Sequence, residues 1–327
     1  MKQTIAITGA FGYSGSHIAL RLLAAGYDVL TLTNTPAGNH PLAGRVRAVP
    51  FHFEEPEKLQ EALTGCAALI NTYWVRFDHR RFNHATAVEN TLKLIAEAKR
   101  AGVGRIVHVS ITNPEEGSAL PYFHGKGRLE RALRESGLPH TILRPAVLFG
   151  EGDILINNIA WALRHLPCFG VFGDGEYKLQ PIHVDDLAAL AVRETFAAGE
   201  RTIEAIGPET FTYRELASAI GQIIGCQRPI FGVPPWLGYI AARIVGWWHR
   251  DEFVTREEIV GLMENRLYVA AAPAGTTKLT DWAREHATTL GRTYANELAR
   301  RHNTGPETRG AKIRRHEPSP GDAIKPR

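Results

Sequence analysis

The first 145 residues alternate between short runs rich in β-branched residues and longer segments whose apolar positions recur with helical spacing. The short runs predict strands over residues 4–8, 28–33, 47–51, 67–72, 105–110 and 140–144. The segments between them predict helices over residues 15–25, 56–63, 82–101 and 122–136. Because parallel strands joined by helices cross over with a right hand, this order predicts an α/β fold with a doubly wound parallel sheet.

The alternation is less regular beyond residue 150. Helices are predicted over residues 154–166, 185–197 and 212–224, with a strand over residues 201–206. We therefore assign residues 1–150 to one domain, to which the elements at about 180–206 return, and residues 151–303 to a smaller lobe. Residues 304–327 are rich in Pro, Gly and charge, which predicts a disordered basic tail.

One apolar helix of the smaller lobe is predicted to begin at Pro234-Pro235. Its apolar residues recur with helical spacing: Trp236, Leu237, Ile240, Ile244, Trp247 and Trp248. The segment is too short to span a bilayer and is interrupted by Arg243. We expect this stripe to pack into a core or against a partner, and a peripheral membrane contact is the alternative.

The composition is that of an ordinary globular protein, with 44% hydrophobic and 22% charged residues among 327. The net charge is +4, but the residues from Arg309 onward carry six basic and two acidic side chains and account for all of it. The charge therefore does not indicate a nucleic-acid partner. The widely spaced Cys66, Cys168 and Cys226 predict reduced thiols in a cytoplasmic protein and no zinc site, and we see no export leader.

A glycine-spaced loop, Thr8-Gly9-Ala10-Phe11-Gly12-Tyr13-Ser14-Gly15, directly follows the first predicted strand and opens the first helix. A pyrophosphate needs backbone that can approach it without Cβ atoms, and it needs the free N–H groups of a helix N-terminus. Gly9 allows the turn, Gly12 the close approach, and Gly15 the packing of helix on strand. In a strand–loop–helix unit this pattern predicts a Rossmann-type site for a nicotinamide dinucleotide.

The GxxGxxG spacing and several later landmarks resemble the short-chain dehydrogenase/reductase superfamily. The landmarks are Arg105-Ile-Val-His-Val-Ser110, Tyr122-xxx-Lys126, Ile142-Leu-Arg-Pro145, Phe149-Gly150 and Pro181-Ile-His-Val-Asp-Asp-Leu187. They are similar to the extended and atypical, epimerase/dehydratase-like branches, near the nucleotide-binding accessory subunit of respiratory complex I. The resemblance covers most of the chain. It implies an NAD(P)-dependent oxidoreductase or epimerase whose substrate is a small carbonyl compound or alcohol.

The resemblance also implies dinucleotide contacts along the carboxyl edge of the sheet. These are Gly9, Phe11, Gly12, Tyr13, Gly15, Thr33, Asn34, His52, Phe53, Asn71, Thr72, Tyr73, Lys126 and Pro145. The second strand ends Leu32-Thr33-Asn34-Thr35, without the acid that usually binds the ribose of NAD, and Arg45 and Arg47 follow. This favours NADP, with NAD as the alternative.

Tyr122 and Lys126 are four residues apart at the start of a predicted helix, so they share one face. A neighbouring ammonium lowers the pKa of a phenol from its usual value of about 10, which would let Tyr122 exchange a proton with an alcohol or carbonyl. The resemblance implies a third catalytic group, a hydroxyl at the end of the fifth strand. Ser110 and Thr112 both fall there; the resemblance favours Thr112, and Ser110 could simply end the strand.

Two aromatic residues depart from the family's pattern. Tyr73 and Trp74 follow the fourth strand where small residues are usual, close to the predicted nicotinamide site. They could form a substrate wall or partly fill the pocket. In the branch of the family that includes the nucleotide-binding accessory subunit of complex I, the bound dinucleotide is often structural and turnover is absent. The second hypothesis is therefore a non-catalytic NADPH-binding redox sensor, or an accessory subunit of a respiratory or membrane-associated assembly. Under either hypothesis we expect a monomer or a dimer.

Other polar residues receive structural interpretations. The segment His183-Val-Asp185-Asp186 could ligate a metal, but it better fits a strand end at which Asp185 or Asp186 caps the next helix. Arg144 is expected in a structural ion pair rather than on a substrate. A basic cluster is expected on a solvated loop and helix start: His79, Arg80, Arg81 and His84.

Overall fold

The computed structural model describes residues 2–35, 37–78 and 82–297. Its strands in chain order are β1 (Thr4–Thr8), β2 (Asp28–Leu32), β3 (Arg47–Val49), β4 (Cys66–Asn71), β5 (Ile106–Val109), β6 (His140–Pro145), β7 (Val147–Phe149), β8 (Phe169–Phe172), β9 (Lys178–Leu179), β10 (Pro181–His183), β11 (Arg201–Ala205), β12 (Phe211–Thr212) and β13 (Ile230–Val233). Its helices are α1 (Tyr13–Ala24), α2 (Pro56–Leu63), α3 (His84–Arg100), α4 (Pro121–Glu135), α5 (Leu155–His165), α6 (Val184–Glu194), α7 (Tyr213–Ile223), α8 (Pro235–His249), α9 (Arg256–Met263) and α10 (Leu279–Glu285).

The main layer is a seven-stranded sheet with the order β3-β2-β1-β4-β5-β6-β11. All of its neighbouring strands pair in parallel. The chain order reverses between β1 and β4, and such a switch point is where doubly wound folds bind ligands at the carboxyl ends of the strands. The predicted α/β Rossmann fold is confirmed.

Helices cover both faces of this sheet. Helices α1 and α6 pack together on one face, over an apolar core that includes Ile5 and Ile18. The other face is covered by α2, α3 and α4, over a core that includes Leu30 and Leu94. Because side chains alternate along a strand, Ala6 belongs to this second core while its neighbour Ile5 belongs to the first.

Helices α5, α7, α8, α9 and α10 form what we call the second lobe, with the parallel pair β8–β13 and the antiparallel pair β9–β12. Its core includes Ile159, Leu216 and Trp282. The fully buried Phe149 of β7 lies 5.6 Å from the Trp282 ring, measured between ring centres. This contact joins the end of the sheet to the second lobe.

The strands and helices predicted for the first 145 residues are present with small shifts at their ends. The third strand ends at Val49 rather than at residue 51. Pro50 has no N–H for the ladder, and His52 takes a left-handed conformation with φ of 49°. Further along, β11 pairs with β6 and α6 packs against α1.

The apolar stripe of α8 is not packed into the core of this chain, and its packing against a partner stays a prediction. Only Ala242 and Gly246 of this helix are buried. Trp236, Trp247 and Trp248 are 65%, 81% and 77% exposed. The predicted tail lies outside the described residues, as do His79, Arg80 and Arg81.

Three further observations bear on membranes, metals and redox state. Across the described ranges, every helix is too short or too polar to cross a bilayer. In the same part of the chain, no group of three or more His, Cys, Asp or Glu side chains could hold a metal ion. The thiols of Cys66, Cys168 and Cys226 are unpaired.

Candidate functional site

The glycine loop between β1 and α1 is a tight turn without room for side chains. Gly9 has a φ of 67°, in the left-handed region that favours glycine. A Cβ at Gly15 would lie 2.1 Å from the carbonyl oxygen of Gly9, and one at Gly12 would lie 3.3 Å from the same atom. Helix α1 begins directly after Gly12. Its first N–H groups have no partner within the helix, so this turn suits an anionic pyrophosphate.

Hydrogen bonds fix the carboxyl ends of β1, β4 and β5 relative to one another. The Thr8 hydroxyl donates to the Asn71 side-chain oxygen over 3.1 Å and accepts the Thr72 N–H over 2.7 Å. The Thr72 hydroxyl donates to the Thr8 carbonyl over 2.6 Å. The Asn71 amide nitrogen lies 3.0 Å from Nδ1 of His108, whose pKa burial holds well below its usual value. Asn71 and Thr72 therefore set the floor of the crevice where the sheet order reverses.

The end of β2 carries no acid, as its sequence shows. Thr33 is buried, and its hydroxyl accepts the Thr35 N–H over 3.1 Å. The Asn34 side-chain oxygen accepts the Phe51 N–H over 3.1 Å, which ties the end of β2 to the segment after β3. Both predicted ribose contacts thus lie at the carboxyl edge and stabilise it.

Arg47 does not lie at this edge. It is the first residue of β3, whose carboxyl end is Val49. Arg47 pairs with Leu30 in the middle of β2, two residues before the end of that strand. The Arg47 backbone therefore lies two residues before the carboxyl end of β3.

Stacked aromatic rings lie after β3 and β4, where the resemblance places the adenine. The rings of Phe51 and Phe53 are 4.8 Å apart, and Tyr73 lies 4.8 Å from the first and 5.2 Å from the second. Burial raises the pKa of Tyr73 to about 12. His52 places Nδ1 3.2 Å from the carboxylate of Glu55. Phe53 and Tyr73 thus form an aromatic wall whose two ring planes are tilted by 55°, while His52 pairs within its own turn.

Near the glycine loop, two more predicted contacts make local packing interactions. The Phe11 ring lies 5.2 Å from the ring of His40. The hydroxyl of Tyr13 would be 3.2 Å from a Cβ built on Gly150, so Tyr13 packs against the loop that follows β7. The Tyr13 ring is therefore directed toward the second lobe.

Helix α4 carries Tyr122 and Lys126 one turn apart, and the Trp74 indole packs against both. The Lys126 ammonium lies 4.4 Å from the centre of the Trp74 ring, and the Tyr122 ring meets that ring edge-on at 5.5 Å. The indole fits because Gly125 has no side chain, since a Cβ there would lie 2.8 Å from Trp74. Lys126 also donates to the Val109 carbonyl over 2.8 Å. The fold thus brings Tyr122, Lys126 and Trp74 into one cluster, in which Lys126 is buried.

Burial dominates the protonation of both groups. It lowers the pKa of Lys126 to about 7. It raises the pKa of Tyr122 well above its usual range, with the Glu258 carboxylate adding to the rise and Arg76 opposing it. The expectation that Lys126 lowers the pKa of Tyr122 is wrong here, because the ammonium is engaged elsewhere and is itself easily deprotonated. Tyr122 is a neutral phenol, suited to donating a proton and poorly suited to accepting one.

Ser110 belongs to a buried ion-pair network. Its hydroxyl donates to Glu130 over 2.6 Å. Arg144 donates twice to the same carboxylate, over 2.9 and 2.6 Å, and once to Glu204 over 3.0 Å. Burial raises the pKa of Glu130, but the hydrogen bonds from Arg144 and Ser110 outweigh it, so the pKa lies below its usual value. The structural ion pair expected for Arg144 is present, and the Ser110 hydroxyl is committed to it.

Thr112 is bonded to the second lobe. Its hydroxyl donates to the Arg266 carbonyl over 2.8 Å, and Asn113 donates to the same carbonyl over 3.0 Å. The Thr112 N–H donates to the carbonyl of Pro145, the last residue of β6, over 3.1 Å. Both candidates for the third catalytic hydroxyl are therefore hydrogen-bonded to groups other than Tyr122.

A cavity of about 700 Å³ lies between α4 and the second lobe. Tyr122, Arg76 and Glu258 line one polar part of it, where Arg76 donates to the Glu258 carboxylate. Tyr13 of the glycine loop also reaches the wall. Apolar side chains form much of the remainder: Ile111, Phe123, Ile154, Leu237, Val245 and Leu262. The volume is typical of small-molecule sites, and the cavity adjoins both the dinucleotide loop and Tyr122.

Sequence reasoning missed two neighbours of Tyr122. His84, expected on a solvated helix start, is 3% exposed, and its ring meets Tyr122 edge-on at 5.6 Å. Its Nδ1 lies 2.7 Å from the Asp78 carboxylate. Trp74 was recognised as bulky, but nothing in the sequence indicated that it would cover Lys126.

The segment from His183 to Asp186 is structural, although its cap differs from the expected one. The His183 ring accepts the Asp185 N–H over 3.3 Å, so His183, rather than either aspartate, caps α6. Asp185 lies 2.7 Å from Nδ1 of His17 in α1. Asp186 accepts the N–H groups of Thr276 and Thr277 over 2.7 and 2.8 Å. The two carboxylates connect α6 to its neighbours.

Comparison with known proteins agrees with this geometry. Residues 9–158 match a family model described as NAD(P)H-binding. Among solved structures, the chain is similar to the Citrobacter sp. triphenylmethane reductase complexed with NADP(H), with a TM-score of 0.70 and 20% identity over 87% of this chain and 99% of that one. The resemblance to the short-chain dehydrogenase/reductase superfamily is confirmed.

Sequence relatives include both a respiratory subunit and an enzyme. The chain is 25% identical to the NADH-ubiquinone oxidoreductase 40 kDa subunit of Neurospora crassa, over 75% of this chain and 68% of the relative. It is 28% identical to a (4-alkanoyl-5-oxo-2,5-dihydrofuran-3-yl)methyl phosphate reductase of Streptomyces griseus, over 69% of this chain and 75% of the relative. The chain covers only 57% and 62% of two mitochondrial NADH dehydrogenase subunits, from Arabidopsis thaliana and Dictyostelium discoideum.

The residues present fit a nicotinamide dinucleotide. The Cβ-free turn at Gly12 and Gly15 leaves backbone N–H groups accessible at the start of α1. Phe53 and Tyr73 provide an aromatic surface at one end of the site. Lys126, expected to hold the ribose hydroxyls at the other end, is buried and donates to the Val109 carbonyl in this structure.

Proposed function

We propose that this chain is an NADPH-dependent reductase of an apolar carbonyl compound. The observation that carries the proposal is the position of Tyr122, a neutral phenol on the wall of a cavity of about 700 Å³ that Tyr13 of the glycine loop also lines. When bound, NADPH supplies a hydride. The apolar wall receives the body of the substrate, and the carbonyl lies at the polar part beside Arg76 and Glu258.

Each residue then has a role in binding or proton transfer. Gly9, Gly12 and Gly15 let the pyrophosphate approach the backbone, and Lys126 donates to the ribose. Tyr122 donates its proton to the reacting carbonyl oxygen. Because its pKa lies above the usual range, Tyr122 stays protonated at neutral pH and favours reduction over alcohol oxidation.

Two residues are candidates for the hydroxyl that orients the reacting carbonyl oxygen. Ser110 is tied to the buried carboxylate of Glu130, while Thr112 donates to a single neutral carbonyl. Giving up a bond to a charged group costs more than giving up one to a carbonyl. We therefore place Thr112 ahead of Ser110.

NADPH is preferred in this proposal because no carboxylate follows β2 to repel a 2′-phosphate. Arg45 precedes β3 and Arg47 opens it, so the preference rests on the missing carboxylate. We place the protein in the cytoplasm, where unpaired cysteines stay reduced.

The test is Tyr122→Phe, assayed for NADPH and NADH oxidation with apolar aldehydes and ketones. We expect turnover to fall by roughly 10²–10⁴-fold, because the proton donor is lost, while NADPH binding stays within a few-fold. Tyr27→Phe, a change at a ring that stacks on Phe196, is the matched control and should keep full turnover. Unchanged turnover in Tyr122→Phe would overturn the proposal.

A second candidate function is favoured by the packing of Trp74. The indole covers Lys126, and Ser110 and Thr112 are both bonded elsewhere. This arrangement fits a non-catalytic NADPH-binding sensor or accessory subunit. The same assay separates the two functions, since this candidate requires tight NADPH retention with no turnover of any carbonyl compound.

A further inference from the structure

Helix α8 presents an apolar face to solvent. Trp236, Ile240 and Trp247 are 65%, 48% and 81% exposed, and Ile244 and Trp248 are 59% and 77% exposed. At 100° per residue, all five fall within an arc of about 120° on the helix surface. Their contiguity distinguishes this face from the scattered apolar residues that any protein exposes.

The opposite side of α8 lines the cavity described above. Gly238, Ala242 and Val245 contribute to that wall. A Cβ at Gly238 would lie 2.6 Å from the Phe172 ring, so the helix is seated closely on β8. Helix α8 is therefore firmly held, and it separates an apolar cavity from an exposed apolar face.

The groove beside this face carries charges of both signs. Arg243 and Arg250 are exposed, and both line a groove of about 640 Å³ that follows the second half of α8. Asp251 and Glu252 line the same groove. Asp251 accepts the Tyr294 hydroxyl over 3.0 Å, so this carboxylate is already hydrogen-bonded. Two arginines and two carboxylates therefore line the groove, so the excess of positive charge next to α8 comes from the sequence that follows residue 297.

The described part of the chain ends beside the same helix. The Tyr294 ring stacks on His249 at 4.1 Å, and Asn296 donates to the His249 carbonyl over 2.7 Å. From residue 298 onward the sequence has eight Arg or Lys residues and three acidic ones. Its large apolar residues are only Leu298, Ile313 and Ile324, too few to cover the face of α8. A strongly basic sequence therefore follows directly after the residues that contact the end of α8.

We propose that α8 docks on the surface of an anionic membrane. Tryptophan and aliphatic side chains of one helix face enter the interface, as in amphipathic helices that lie in the plane of a bilayer. The arginines beside the groove and the basic segment contact anionic headgroups. The cavity then lies one helix diameter from the lipid. Docking of α8 against a protein partner would not explain the excess of basic residues from residue 298 onward.

The test is co-sedimentation of the full chain with phosphatidylcholine vesicles, with and without phosphatidylglycerol. We expect binding to the vesicles that contain phosphatidylglycerol, weakened by salt because the headgroup attraction is electrostatic. The double change Trp247→Ser and Trp248→Ser should weaken this binding by roughly tenfold or more, since two large exposed side chains no longer enter the interface. Deletion of residues 304–327 should reduce the salt-sensitive part of the binding.

Phe196→Ser is the matched control, because Phe196 is an aromatic residue that is 47% exposed and stacks on Tyr27, outside α8. It should leave vesicle binding unchanged, and unchanged NADPH binding would show that each variant is folded. Absence of vesicle binding at low salt would overturn the proposal. So would binding that survives the double tryptophan change. If the wild type formed a dimer but bound no vesicles, and the double tryptophan change abolished the dimer, the face would instead be an interface between two copies of the chain.

Discussion

Replacing Gly15 with alanine tests the geometry of the dinucleotide loop. The added Cβ would lie 2.1 Å from the carbonyl oxygen of Gly9 and 2.8 Å from its carbonyl carbon. Because real contacts of this kind stay above 3.0 Å, α1 must move away from the end of β1 by roughly 1 Å. Overpacking against rigid backbone costs about 3 kcal/mol. The shift also misplaces the N–H groups at the start of α1, and one lost bond to a phosphate weakens binding about tenfold.

Thermal unfolding and NADPH titration of the same samples measure both effects. We expect Gly15→Ala to lower Tm by several degrees and to raise the Kd for NADPH at least about tenfold. Gly117→Ala is the control, since its Cβ would meet only the end of the Glu115 side chain at 4.0 Å. That control should stay within about 0.5 kcal/mol of the wild type. A Gly15→Ala protein with unchanged Tm and Kd would refute the proposed geometry of the loop.

Two further predictions concern buried charges around α4. Burial lowers the pKa of Lys126 to about 7, below the usual lysine value of about 10.4. Between these two pH values the unfolded chain binds more protons than the folded chain, so wild-type stability rises with pH across that window. The rise in the free energy of unfolding is at most about 1.4 kcal/mol per pH unit, and we expect Lys126→Met to lose it. Urea unfolding of both proteins at several pH values measures this difference. If the free energy of unfolding rose with pH equally in both proteins, the prediction would be contradicted. Glu130→Gln should cost about 3 kcal/mol, because Arg144 is left without its buried partner, and Ser110→Ala only about 1 kcal/mol. If Ser110→Ala instead abolished turnover with little loss of Tm, Ser110 would belong to the reacting site.

Local patterns were sufficient for the order of elements and for the glycine loop. The role of Gly15 followed from spacing alone, because a helix that begins directly after a parallel strand leaves no room for a Cβ at that position. The face shared by Tyr122 and Lys126 followed in the same way from helical periodicity. In each case the residues that determine the geometry are neighbours in sequence.

The errors all depend on contacts between distant parts of the chain. The pKa of Tyr122 is set by burial and by Glu258 in the second lobe, and not by Lys126 one turn away. His84 is buried where the Trp74 and Tyr122 rings pack against it. Periodicity showed that α8 has an apolar face, but it could not show that this face is left exposed.

The most direct test of the proposed function is to follow deuterium from NADPH labelled at C4 of the nicotinamide into an apolar carbonyl substrate. The proposal predicts an alcohol product that carries deuterium on the former carbonyl carbon, in an amount equal to the NADPH oxidised. Stoichiometric NADPH binding without labelled product from any carbonyl compound would contradict the proposed reductase and leave the dinucleotide with a structural or sensing role.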